Sequence, residues 1–233
     1  MNIAKILILF LLLGSLTFAA STILVLDASG SMTTTVTGTT KTRLEVAKEA
    51  ANTVLNGVKS GDEVALIVFY DCSDIVTEVA FTTNMQTIKT KLATVQADGS
   101  TPIARAINYS AKYAQTSGRP SASIVLLTDG EETCDSQTTA VNAATNAVNY
   151  QGIKIVNVVG LGIQNGSSSE TKLKQIAAAG KGNYYSAQDA NQLTSSLAQA
   201  YNSGIGSSLP SCCGSIALIA ILSSAAFVYY RKN

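Results

Sequence analysis

No histidine occurs anywhere in the chain. That absence excludes a Ser/His/Asp hydrolase, whose base would be missing, and it makes zinc and copper poor candidates for any metal site. Charge is scarce as well: 13% of residues are charged and the formal net charge is +1. The basic footprint that nucleic-acid binders carry is therefore lacking, and no nucleic acid is expected as a partner. No Walker-type Gly-Lys-Ser/Thr loop is present, which argues against a P-loop nucleotide site, and no internal repeat is found. What remains is a 233-residue chain with 46% hydrophobic content, enough for one good-sized domain with its own core and a short appendage at either end.

Both ends are apolar. Residues 1–20 carry Lys5, an Ile/Leu/Phe run over 6–13, then small residues up to Ala19 and Ala20. This outlines a secretory signal peptide, with an uncleaved N-terminal anchor as the alternative. Residues 214–230 form a second apolar run that ends in Tyr229 and Tyr230, ahead of Arg231 and Lys232 in the tail 231–233. An interfacial aromatic pair before positive charge predicts a single-pass transmembrane helix with its tail in the cytoplasm. The intervening domain, 21–202, is then expected on the extracytoplasmic side of the cell membrane, and the Gly/Ser/Pro-rich stretch 203–213 reads as a stalk.

Only four cysteines are present. In an exported chain Cys72 and Cys134 are candidates for a disulfide, which would close a loop of about 60 residues and contribute about 4 kcal/mol in the chain-entropy view. Two buried free thiols are the alternative. Cys212 and Cys213 adjoin the apolar C-terminal run and have no assigned role.

Apolar runs without alternation at 22–26, 63–69, 123–127 and 153–159 predict strands covered on both faces, the mark of a parallel sheet. Helical spacing appears between and after them: Leu44, Ala47, Ala51, Val54, Leu55 and Val58, preceded by a possible Thr42/Glu45 capping box; then Ile103, Ala106, Ile107 and Ala114; Val141, Ala144 and Val148; Leu173, Ile176 and Ala177; and residues 190–202. The alternation predicts a doubly wound α/β domain. Residues 75–81 follow the second strand after a link too short for a parallel crossover, so an antiparallel edge strand is expected there.

Three short polar stretches follow strands or open a helix: "DASGS" at 27–31, "GSTP" at 99–102 and "TDG" at 128–130. In such a sheet the ends of the first and fourth strands lie side by side at the point where strand order reverses. Asp27 and Asp129 should therefore meet. Each stretch also has a plain reading: a capping loop for Asp27 and its serines, an N-cap for Thr101 followed by Pro102, and an ordinary turn for Asp129 and Gly130. Together, two carboxylates and three hydroxyls make a set of hard oxygen donors suited to Mg²⁺, Mn²⁺ or Ca²⁺. The alternate spacing of Asp27, Ser29 and Ser31 lets one tight loop aim all three at a point.

On these motifs the chain resembles the von Willebrand factor type A domain over roughly residues 21–202. "DASGS" is similar to that family's DxSxS metal-ion-dependent adhesion site, with Thr101 and Asp129 in the positions of its second and third motifs. The resemblance implies a six-stranded sheet with one antiparallel edge strand. It also implies a metal held by Asp27, Ser29, Ser31, Thr101 and Asp129, with Mg²⁺ as the expected ion. The stretches "FYDC" at 69–72 and "DGEETC" at 129–134 look like those of a cysteine-paired prokaryotic subgroup.

If hydroxyls supply most of the direct bonds, little negative charge reaches the cation, and an Asp or Glu from a partner protein can complete its coordination. A non-enzymatic, metal-dependent protein-binding module is thus the first expectation. A subunit that helps assemble a membrane complex, with the metal organising the fold, is the second. A phosphatase with Asp27 as nucleophile is a minor third, because that chemistry requires a second aspartate where Ser29 stands. The loop acids Asp71, Asp74, Glu131, Glu132 and Asp135 either tune partner choice or are simply solvated.

Overall fold

The computed structural model describes residues 19–205. The expected signal peptide or N-terminal anchor, apart from Ala19 and Ala20, and the expected transmembrane helix and tail lie outside the described residues. Among those described, no helix is long and apolar enough to cross a membrane.

The chain alternates as β1 (Ser21–Asp27), α1 (Arg43–Asn56), β2 (Glu63–Asp71), β3 (Asp74–Thr82), α2 (Met85–Thr94), α3 (Ile103–Thr116), β4 (Ser123–Thr128), α4 (Gln137–Asn149), β5 (Val156–Leu161), α5 (Ser168–Ala179), β6 (Lys181–Ala187) and α6 (Ala190–Ile205), with a 3-10 turn at Gly30–Thr33 after β1. The strands form one sheet in the order β3-β2-β1-β4-β5-β6. All pairings are parallel except β2 with β3. The antiparallel edge follows from chain length: only Cys72 and Ser73 separate the two strands, too few for a crossover.

Because side chains alternate across a strand, β1 feeds two cores. Leu24 and Leu26 pack with α1, α2 and α6 on one face, through residues such as Leu44, Ile88 and Leu197. Ile23 and Val25 pack with α3, α4 and α5 on the other, through Ile107, Ala144 and Ile176. Burial on both faces is why the central strands read as unbroken apolar runs. The Thr42/Glu45 capping box forms: Thr42 Oγ1 accepts from Glu45 N at 3.2 Å, and Thr42 N donates to Glu45 Oε2 at 2.7 Å.

Three features differ from the sequence expectations. Residues 153–155 are not part of β5. Ile153 is apolar because it packs under α4, where its N–H donates to Ala147 O at 2.9 Å. Strand β6, partly exposed along its length, has no apolar run to announce it. The expected stalk does not begin at 203, since α6 continues to Ile205 and its last turn is bonded into the sheet. Asn157 Nδ2 donates to Ser203 Oγ at 2.8 Å, and Ser123 Oγ donates to Gly204 O at 2.8 Å.

Candidate metal centre

Strand order reverses between β1 and β4, and the three motif stretches meet there. Asp27, the last residue of β1, is fully buried. Its Oδ1 accepts from Ser29 N at 2.8 Å and its Oδ2 from Thr128 Oγ1 at 2.6 Å. Burial, and then the nearby charge of Asp129, push its pKa up to about 6 against the pull of the Ser29 and Thr128 hydrogen bonds. From Ser29 a chain of oxygens crosses the switch point. Ser29 Oγ lies 3.1 Å from Ser31 Oγ, and Ser31 Oγ donates to Asp129 Oδ1 at 2.6 Å.

Thr101 closes the set from the third loop. The loop is tied to the loop after β1 by two backbone bonds, Asp98 N to Ala28 O at 2.7 Å and Gly30 N to Gly99 O at 3.0 Å. Gly99 must be glycine: it sits at φ +72°, and an added Cβ would lie 2.5 Å from Tyr70 O. Thr101 is not the N-cap of α3. Pro102 holds that position, and Glu132 supplies the missing acceptor by taking a 2.6 Å bond from Ala104 N. The Thr101 hydroxyl is thereby left without a hydrogen-bond partner among the described residues, beside Gly130.

The loop after β4, which carries Asp129, is held by long-range ties. Cys72 and Cys134 are disulfide-bonded across 62 positions of sequence. Thr133 N donates to Thr101 O at 3.0 Å, and Thr101 N donates to Thr133 Oγ1 at 2.8 Å. Glu132 Oε1 accepts from Cys134 N and Asp135 N. Arg105 forks onto Asp135 at 2.8 and 3.2 Å and donates to Cys72 O at 2.8 Å. Glu131 takes bonds from Ser169 and Lys172. Asp71 accepts from Ser100 N at 3.1 Å. Four of the loop acids, Glu131, Glu132 and Asp135 with Asp71 on the neighbouring hairpin, are thus engaged in internal bonds that shape the rim; Asp74 pairs with Asp71 in the β2/β3 register.

One participant was not anticipated. Arg43, the first residue of α1, places Nη1 2.7 Å from Asp129 Oδ2. The carboxylate is wholly shielded, with 0% side-chain exposure, and the arginine is 23% exposed. A short hairpin aligns them: Thr35 pairs with Thr42, and Arg43 N donates to Thr34 O at 2.8 Å. A cation in the first turn of a helix opposes the helix dipole. That mismatch was the one sequence signal pointing to a tertiary partner for Arg43.

The donor chemistry fits a small hard cation. Two shielded carboxylates and the Ser29 and Ser31 hydroxyls are linked at the switch point, and the uncommitted Thr101 hydroxyl lies beside Gly130, the neighbour of Asp129. Among the described residues no three acidic or cysteine side chains cluster as a metal site, so a cation here would depend on the hydroxyls.

The fold and its switch-point cluster define an α/β domain of the von Willebrand type. A von Willebrand factor type A domain profile matches residues 22–132. The YwmC protein of Bacillus subtilis is 31% identical over 183 residues, covering 72% of this chain and 77% of that protein. The chain belongs to the von Willebrand factor type A domain family. Among solved structures, an aerotolerance-related membrane protein from Bacteroides fragilis superimposes with TM-score 0.63 at 26% identity, covering 79% of this chain and 100% of that one. The vWF domain of the type V pili tip protein Mfa5 from Porphyromonas gingivalis shares the fold, with TM-score 0.67 at 14% identity over 82% of this chain and 98% of that one.

Proposed function

We propose that this chain is a membrane-anchored, extracytoplasmic protein-binding module. Asp27, Ser29, Ser31, Thr101 and Asp129 would hold a divalent cation, Mg²⁺ first and Mn²⁺ or Ca²⁺ as alternatives, which would supply a Lewis-acidic seat for an Asp or Glu of a partner protein. The observation that carries this reading is the chain of oxygens from Ser29 through Ser31 to Asp129, with Asp27 bonded to the Ser29 backbone N–H at its start and the uncommitted Thr101 hydroxyl beside Gly130. Neutral oxygens outnumber carboxylates in that set. A partner's carboxylate would therefore meet a seat short of negative charge. Anchoring rests on the apolar segment 214–230. The membrane protein and pilus protein among the structural relatives favour protein assembly over catalysis, and assembly with other membrane proteins is the companion role.

The test is thermal unfolding of the full chain in detergent. Mg²⁺ or Mn²⁺ is expected to raise the melting temperature, EDTA to reverse the rise, and Asp27→Ala to abolish it. Identical melting curves in all these conditions would overturn the metal reading. Capture of surface proteins with and without EDTA then separates metal-dependent recognition from a purely structural role.

A further inference from the structure

Among the described residues, Asp129 alone of the two switch-point carboxylates has a cationic partner. One of its oxygens takes the Ser31 hydroxyl at 2.6 Å and the other takes Arg43 at 2.7 Å. Asp27 is bonded only by neutral donors, Ser29 N and Thr128 Oγ1. The guanidinium is also confined from behind. At Gly162, where φ is +68°, an added Cβ would lie 3.2 to 3.4 Å from Nη2, Nε and Cζ of Arg43. Arg43 is therefore packed into place by the loop after β5, and the capping box fixes the helix end that carries it.

We propose that Arg43 sets the cation affinity of this site and holds it low. This rests on the metal reading above. The guanidinium cancels one of two carboxylate charges in the cluster and occupies an oxygen that a cation would otherwise draw on. Removing a unit positive charge from beside a shielded carboxylate strengthens the attraction for a divalent ion steeply, because the interaction scales with the ion's charge and is weakly screened when buried. The same charge, left in place, makes the loaded site more positive as a whole and so more attractive to a carboxylate arriving from a partner. Arg43 acts here as a positioning residue: it holds Asp129 and need not touch the ion.

The proposal is tested by calorimetric titration of the full chain in detergent with Mn²⁺ alone, comparing the native protein with Arg43→Gln, Arg43→Met and Arg43→Lys. The neutral variants are expected to bind Mn²⁺ at least about tenfold more tightly, whereas Arg43→Lys, which keeps the charge, stays close to the native affinity. Metal-free melting should fall in the neutral variants, which leave a shielded carboxylate unpaired, and Mn²⁺ should raise their melting temperature more than that of the native chain. Native-like or weaker affinity in both neutral variants overturns the proposal. So does a neutral variant that stays unfolded at saturating Mn²⁺ while Arg43→Lys folds, since the pair would then be purely structural. Failure of the metal reading looks different: neither the native chain nor any of the variants binds Mn²⁺ at all.

Discussion

Two loops leave neighbouring strands at the same edge of the sheet, and each supplies one aspartate to the same cluster, yet the balance of local and long-range bonds that holds them differs. The loop after β1 takes much of its shape from its own residues: Asp27 bonds the backbone two residues on, and a 3-10 turn brings Ser31 round beside Ser29, with backbone bonds to Phe69, Asp98 and Gly99 and side-chain bonds to Thr128 and Asp129 added to that local frame. The loop after β4 is fixed from afar, by the disulfide to Cys72, by Arg105, by Thr101 and by Arg43. A loop with a strong local frame keeps much of its geometry once its strand is formed. A tethered loop depends on several elements arriving together, and its stability can be altered without touching the core.

The disulfide is the strongest of the ties on the loop after β4. Replacing both Cys72 and Cys134 by serine should cost about 4 kcal/mol in denaturant unfolding, since it reopens a long loop in the denatured chain. Hydrogen exchange should then rise in residues 129–136 while residues 27–31 keep their protection. Equal loosening of both loops would refute the distinction.

The converse experiment attacks the first loop. Thr128→Val removes the hydroxyl that bonds Asp27 and leaves a buried carboxylate oxygen unpaired, so a loss of about 1–3 kcal/mol is expected from the urea midpoint. The smallest effect concerns the Arg105–Asp135 fork. The Arg105 guanidinium holds the Asp135 carboxyl below its usual range. A folded pKa below the unfolded value gives stability that is present above the ordinary aspartate range near pH 4 and is lost as pH falls through the lower folded value. Arg105→Gln should therefore melt slightly below the native chain at pH 7, and the difference should vanish by about pH 2. A gap that persists in acid would assign the effect of Arg105 to its bond with Cys72 O.

The same division explains what was legible in the sequence. Strands β1, β2 and β4, the antiparallel edge and the Thr42/Glu45 cap all carry local signatures, namely apolar runs, a short link and a four-residue motif. The site aspartates could be paired in advance because a doubly wound sheet puts its first and fourth strands together. Strand β6 escaped notice because an exposed edge needs no apolar run. Ile153 was drawn into β5 because an apolar residue beneath a helix looks the same in sequence as one in a buried strand. Glu132 as the cap of α3, and Arg43 against Asp129, lie 28 and 86 positions from their partners. No periodicity spans such distances.

The sequence by itself determined the class of fold and the sheet edge at which the oxygen donors Asp27, Ser29, Ser31, Thr101 and Asp129 gather, because each follows from local pattern and strand order. The tertiary structure alone decided how those donors are charged and held. It sealed Asp27 among neutral donors and committed both oxygens of Asp129, left the Thr101 hydroxyl uncommitted by handing its capping role to Glu132, and turned four apparently solvated acids into internal ties. These are pairings between groups far apart in the chain, and their energies depend on burial and distance, quantities that exist only once the chain has folded.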